Sequence, residues 1–200
     1  MPIKLNDAQI NILIEKMKEV YDTMEYGVYG KVFPGQKKEL EKSGKEGFCN
    51  CWQAVLLAAK KANLGYTDDD IKASITKTQI GDVAISVYVF KERRFVMFPD
   101  ESRGKLGIPA GLAQPGDLIM WGPGAHIALA VGGEIAYEFE KTKDRRGRKT
   151  INEIDILYRT YPVMCAPLPE PGELKQVVFT NATRDLSKFT DLQIAQLEKL

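Results

Sequence analysis

Cys51 and His126 are the two side chains of this sequence best suited to covalent chemistry. Cys51 opens the run CWQAVLLAAKKANLG, a mostly apolar stretch that reads as a buried helix, with Lys60 and Lys61 suited to its negative end and Gly65 as its stop. A cysteine in the first turn of a helix meets unpaired amide hydrogens and the positive end of the helix dipole, which stabilise thiolate over thiol. Its own N–H can also point at the oxygen of a tetrahedral intermediate. A thiolate nucleophile then needs a group that holds the ion pair and protonates a leaving amine, and imidazole does this near neutral pH. His126 is the only histidine in the chain. Cys49 lies two residues earlier, ahead of the helix, while Cys165 and Trp52 read as buried packing residues.

His126 begins HIALAV directly after the glycine-flanked loop WGPGA, a place where an exposed side chain is set at the edge of a rigid sheet. Along that strand His126, Ala128 and Ala130 share one face, and the small alanines are expected to leave room for the Cys51 helix. A third residue should orient the imidazole, and the returning strand EIAYEFE offers Glu138 and Glu140. A two-residue Gly132-Gly133 turn would put Glu138 opposite Ile127, on the wrong face. A three-residue loop from Gly132 to Glu134 pairs Val131 with Ile135 and puts Glu138 opposite Ala128, so the longer turn is predicted.

These residues carry a resemblance. The stretch PGDLIMWGPGAHIALAVGGEIAYEFE is similar to the histidine half of the NlpC-type and CHAP-type cell-wall amidases, where a Pro-Gly-Asp turn precedes a strand, a loop, the histidine and a glycine hairpin. The order of Cys helix, sheet and His hairpin also matches, and Cys51-Trp52 resembles the Cys-Trp that opens the catalytic helix of papain-like proteases. In that family the third polar residue follows the histidine by twelve positions, which falls on Glu138; His, Asn or Gln is more usual there. The resemblance spans residues 48–140. It implies an α+β, papain-like cysteine hydrolase acting on amide bonds of peptidoglycan peptides, without cofactor or metal. Two departures stand out: the family's Asp-Cys-Ser-Gly is Asn-Cys-Trp-Gln at Asn50–Gln53, and Lys45 replaces the glutamine that papain-like proteases place six residues before the cysteine. The second oxyanion donor is therefore open among Asn50, Tyr26 and Tyr29.

Other function classes remain on the residues alone. Cys49, Cys51, Cys165 and His126 suffice numerically for a Cys3His zinc site, although Cys-x-Cys is a loose match to the usual spacing. A scaffold that binds without catalysis is a further alternative. Within the hydrolase reading, the leading expectation is an antibacterial effector exported by a contact-dependent machine, with an immunity or adaptor protein as partner. The runner-up is a toxin that deamidates or cleaves a host protein.

The elements that must position these groups follow from patterning. Residues 7–24 recur apolar at three- and four-residue steps behind Asn6 and read as an amphipathic helix; a polar, glycine-containing loop links it to Phe48. Thr67 and three aspartates start a short helix. Strands are expected at DVAISVYVF (82–90), RFVMF, DLIMW, HIALAV, EIAYEFE and INEIDILYRTY (151–161), a solvated basic loop at 141–149, and a closing helix at 190–200. Helices first and an antiparallel sheet afterwards make an α+β layout, read as one domain with an N-terminal part (1–47), a catalytic core (48–140) and a closing part (141–200). Hydrophobic content of 44% suits a buried core, and 28 basic against 27 acidic residues leave no field that would select nucleic acid. The N-terminus lacks the pattern of a secretory signal and no stretch resembles a membrane span, so synthesis in the cytoplasm is expected.

Overall fold

The computed structural model describes residues 3–73, 85, 88–89, 92–97, 108, 111–122 and 125–176. Helix α1 (Asp7–Thr23) starts from a capping box in which Asn6 and Gln9 bond each other's backbone amides. Its Leu13, Met17 and Val20 are buried. The polar segment that follows holds more structure than its composition predicts. A short parallel pair joins β1 (Met24–Tyr26) to β2 (Gly47–Cys49), with helix α2 (Gln36–Ser43) between them. Helix α3 (Cys51–Lys61) comes next and buries every residue from Cys51 to Ala59. It ends at Lys61, ahead of the expected stop at Gly65. Burying Trp52, Val55, Leu56 and Leu57 contributes on the order of 1.5–3 kcal/mol each, so tertiary packing rather than surface charge holds this helix.

Helix α4 (Asp68–Ala73) begins with the three aspartates, after Thr67, as expected. The remaining strands are β3 (Phe95–Met97), β4 (Asp117–Trp121), β5 (His126–Gly132), β6 (Ile135–Glu138), β7 (Gly147–Thr150) and β8 (Val163–Pro167), with helix α5 (Ile151–Tyr158) between the last two. They form one antiparallel sheet in the order β3-β8-β4-β5-β6-β7. The fold class is therefore α+β. Among the described residues no helix is long and apolar enough to cross a membrane.

Several expectations need correction. Residues 151–158 form a helix, not a strand: Thr150 and Glu153 make a capping box, and Ile151, Ile154 and Asp155 turn inward at helical spacing. In the segment 82–90, the described residues Ile85, Tyr88 and Val89 are helical and buried, three and four apart as on one helix face. The basic run at 141–149 contains a 3-10 turn (Lys143–Arg145) and the start of β7 rather than a solvated loop throughout. The helix expected at 190–200 lies outside the described residues.

The sheet separates two cores. Leu118, Met120, Ile127, Leu129, Met164 and Ala166 face α1 and α3, while Ile119, Trp121, Ala128, Ala130, Ala136 and Val163 face Ile151 and Ile154 of α5. The Cys51 helix thus lies on the large-residue face, and the alanines beside His126 make room for α5 instead. The hairpin also differs in detail. Gly133 and Glu134 form a two-residue turn with positive φ of 58° and 61°, as a type I′ turn requires, and a bulge at Val131 shifts the register between Ala130 and Gly132. The bulge supplies the extra residue that the longer loop was expected to supply, so Glu138 does stand opposite Ala128.

Candidate active site

Asn50 fixes the start of α3, its side-chain oxygen accepting from the amides of Trp52 (3.1 Å) and Gln53 (3.0 Å). Gln53 returns the bond to the Asn50 amide (3.2 Å) and also accepts from the amide of Tyr29 (2.8 Å), tying the loop after β1 to the helix start. These bonds leave the Cys51 amide without a partner among the described residues. Cys51 is thus the first residue of the helix, with its N–H free of any partner among the described residues and the residue as a whole 4% exposed.

His126 opens β5 on the opposite face of the sheet from α3, and the start of α3 reaches it at the strand end, where the Cys51 sulfur comes near enough to the imidazole to act on its charge. On the other side of the ring, Nε2 lies 3.1 Å from Oε2 of Glu138. The contact is off-line for a hydrogen bond, and neither atom has another partner, so the interaction is one of charge and proximity. Burial alone pulls the imidazolium pKa down, but the Cys51 sulfur and the Glu138 carboxylate outweigh it and raise the value to about 9.

An aromatic wall completes the seat. The Tyr158 ring of α5 stacks on His126 with centroids 4.8 Å apart and planes 8° from parallel, and Trp121 lies 5.9 Å away. The Tyr158 hydroxyl donates to Oε2 of Glu140 (2.9 Å), which also pairs with Arg145 (3.1 Å). Glu140 therefore holds Tyr158 rather than the imidazole. Sequence reasoning missed Tyr158, and the signal was present: it lies four residues after Ile154 on the inward face of a helix read as a strand.

The remaining candidates separate. Tyr26 closes β1 on the Cys51 side of the site, and burial followed by the nearby sulfur keeps its hydroxyl protonated, hence a donor. Tyr29 points elsewhere, its hydroxyl donating to Asp68 and its amide to Gln53. The side chain of Asn50 is occupied as a helix cap. The basic run does not face solvent freely: Arg146 lies 4.7 Å over the Phe139 ring and, with Lys143, pairs with the buried Glu25 of β1 at 3.3 and 3.1 Å.

All three cysteines are free and buried. Burial raises the Cys49 thiol pKa well above its ordinary range and pushes that of Cys165 up to about 12, which makes both poor nucleophiles near neutral pH. Cys165 packs in the α5-side core with its thiol toward the Leu112 carbonyl, apart from Cys49 and Cys51 in the core of α1 and α3. Among the described residues no three His, Cys, Asp or Glu side chains are grouped to hold a metal ion. In comparisons with known proteins, no family model matches the chain and no curated protein matches its sequence.

Proposed function

We propose that the chain is a papain-like thiol hydrolase of amide bonds, with Cys51 as nucleophile, His126 as general acid and base, and Glu138 as the residue that orients and charges the imidazole. The observation that carries this reading is the place of His126: 1% exposed, between the Cys51 sulfur and the Glu138 carboxylate, with its pKa raised to about 9. A cationic imidazole held there stabilises a sulfur anion and stores the proton that a departing amine needs.

In the proposed reaction the Cys51 sulfur attacks the amide carbon, and the oxygen takes up charge beside the free Cys51 N–H and the Tyr26 hydroxyl. His126 gives its proton to the leaving nitrogen as the C–N bond breaks, leaving a thioester. It then takes a proton from water, which attacks the thioester carbon and releases Cys51. Glu138 favours the charged imidazole by its proximity.

The family resemblance supports peptidoglycan peptides as substrate and an exported antibacterial effector as the biological setting. Purified protein and its Cys51→Ala variant, each incubated with defined muropeptides and followed by mass spectrometry, test both the reaction and the substrate. Cleavage by the parent and none by the variant is expected. Intact muropeptides alongside a Cys51-dependent change of one mass unit in a host protein would replace the cell-wall substrate with protein deamidation. Cleavage by Cys51→Ala would overturn the nucleophile.

A further inference from the structure

We propose that the cleft beside α3, away from the thiol, docks an acidic peptide segment of a protein partner. The cleft has a volume of about 610 Å³ and a floor of Met24, Phe48 and Leu57, each 5% exposed or less. Lysines surround it, and two of them are already neutralised: Lys60 pairs with Asp68 at 2.6 Å, and Lys61 with Glu19 at 2.6 Å and Glu46 at 3.8 Å. Lys31 and Lys72, both exposed, have no carboxylate partner among the described residues. They share one rim, since the Lys72 stem rests against Gly30, next to Lys31, with its Cε 3.4 Å from where a Gly30 side chain would begin. Val32, on the same loop and 55% exposed, adds an apolar edge.

Two adjacent ammonium groups with no described carboxylate within ion-pair distance, over an apolar floor, match an anionic chain that also carries an apolar side chain. The features do not match a nucleic acid, which calls for a broader basic field, whereas the chain carries a net charge of only +1 and the described lining contains no arginine. Nor do they match a lone phosphate, which is held by converging donors in a close-fitting seat rather than in an open cleft with an apolar floor. The loop that lines the cleft begins at Tyr26, beside Cys51, so an occupant would brace the same segment that faces the thiol.

The test is fluorescence anisotropy on the full chain carrying Cys51→Ala, which keeps the probe intact and makes the outcome independent of the catalytic reading. The probe is a short fluorescein-labelled peptide of glutamates around one leucine. Saturable binding is expected, weakening as salt screens the lysines, and falling roughly tenfold or more in Lys31→Glu/Lys72→Glu. Both lysines are exposed, so the double variant should keep its fold, and Arg148→Glu/Arg159→Glu should bind like the parent. The proposal is overturned if the probe does not bind, if the double variant binds it as well as the parent does, or if a lysine-for-glutamate probe or oligothymidylate binds equally. Displacement of the probe by inorganic phosphate at equal concentration would reassign the cleft to a small anion.

Discussion

Glu138 reaches His126 by charge more than by alignment, and this decides what its removal should do. The carboxylate is one of the groups that raise the imidazole to about 9, so replacing it with a neutral side chain must lower that value. Glu138→Gln should therefore move the alkaline limb of the activity profile below pH 9 and reduce kcat by about ten- to ten-thousand-fold, as removal of an orienting residue does. An unshifted limb in the pH profile would remove Glu138 from the role. Tyr158 acts by a different route, fixing the ring plane through a 4.8 Å stack while Glu140 and Arg145 fix Tyr158. Tyr158→Leu is expected to lower kcat by on the order of 10- to 100-fold with KM little changed, because a loosened imidazole misplaces the proton transfer. Tyr158→Phe keeps the ring and should recover most of that loss, which separates stacking from simple destabilisation.

At the level of elements, the site depends on where α3 begins. Asn50→Ala removes the acceptor for two helix amides and should cost about 1 kcal/mol, read as a lower urea midpoint, and it should also slow alkylation of Cys51 as the helix start frays. This start was legible in the sequence because a polar residue preceded a mostly apolar run, and the strands from Asp117 to Glu138 were legible because turn residues bound them. Helix α5 was not. Its isoleucines and tyrosine favour strands by composition, and the Thr150 and Glu153 capping box that decides the matter is a two-residue signal beside a basic run. The register of Glu138 was reached by a different path from the one predicted. Alternation demanded a carboxylate on the face of His126, and a tight turn with a bulge satisfies that demand as well as a longer loop does.

The whole molecule places the proposed reacting groups on opposite sides of one sheet. Cys51 arrives with the helical layer of α1 and α3, whereas His126 and Glu138 lie on the face covered by α5, so both cores must be packed for the pair to meet. Which layer would cover which face could not be read from one strand, because Ile127 and Leu129 on one side and Ala128 and Ala130 on the other are both apolar. The place where the end of β4 meets the connection from α5 to β8 offers a direct test. Gly122 has a φ of 59°, and a Cβ there would meet the Tyr161 ring at 2.7 Å. Gly122→Ala should lower the thermal midpoint by several degrees, corresponding to roughly 1–3 kcal/mol of strain, and should reduce activity because Gly122 stands only four positions before His126. An unchanged midpoint would mean that the half-exposed Tyr161 side chain gives way without cost.

A chain with one histidine, placed between a sulfur and a carboxylate, carries its own isotopic reporter. Labelling histidine with carbon-13 should give a single imidazole signal in the NMR spectrum, and every change in its chemical shift belongs to His126 without assignment. Its titration should centre near pH 9 in the free protein. Alkylation of Cys51 by iodoacetamide removes a neighbour that raises the imidazole, so the same signal should then titrate at lower pH. Inhibitors that cap the sulfur can thus be ranked in a single spectrum, with no substrate in the tube.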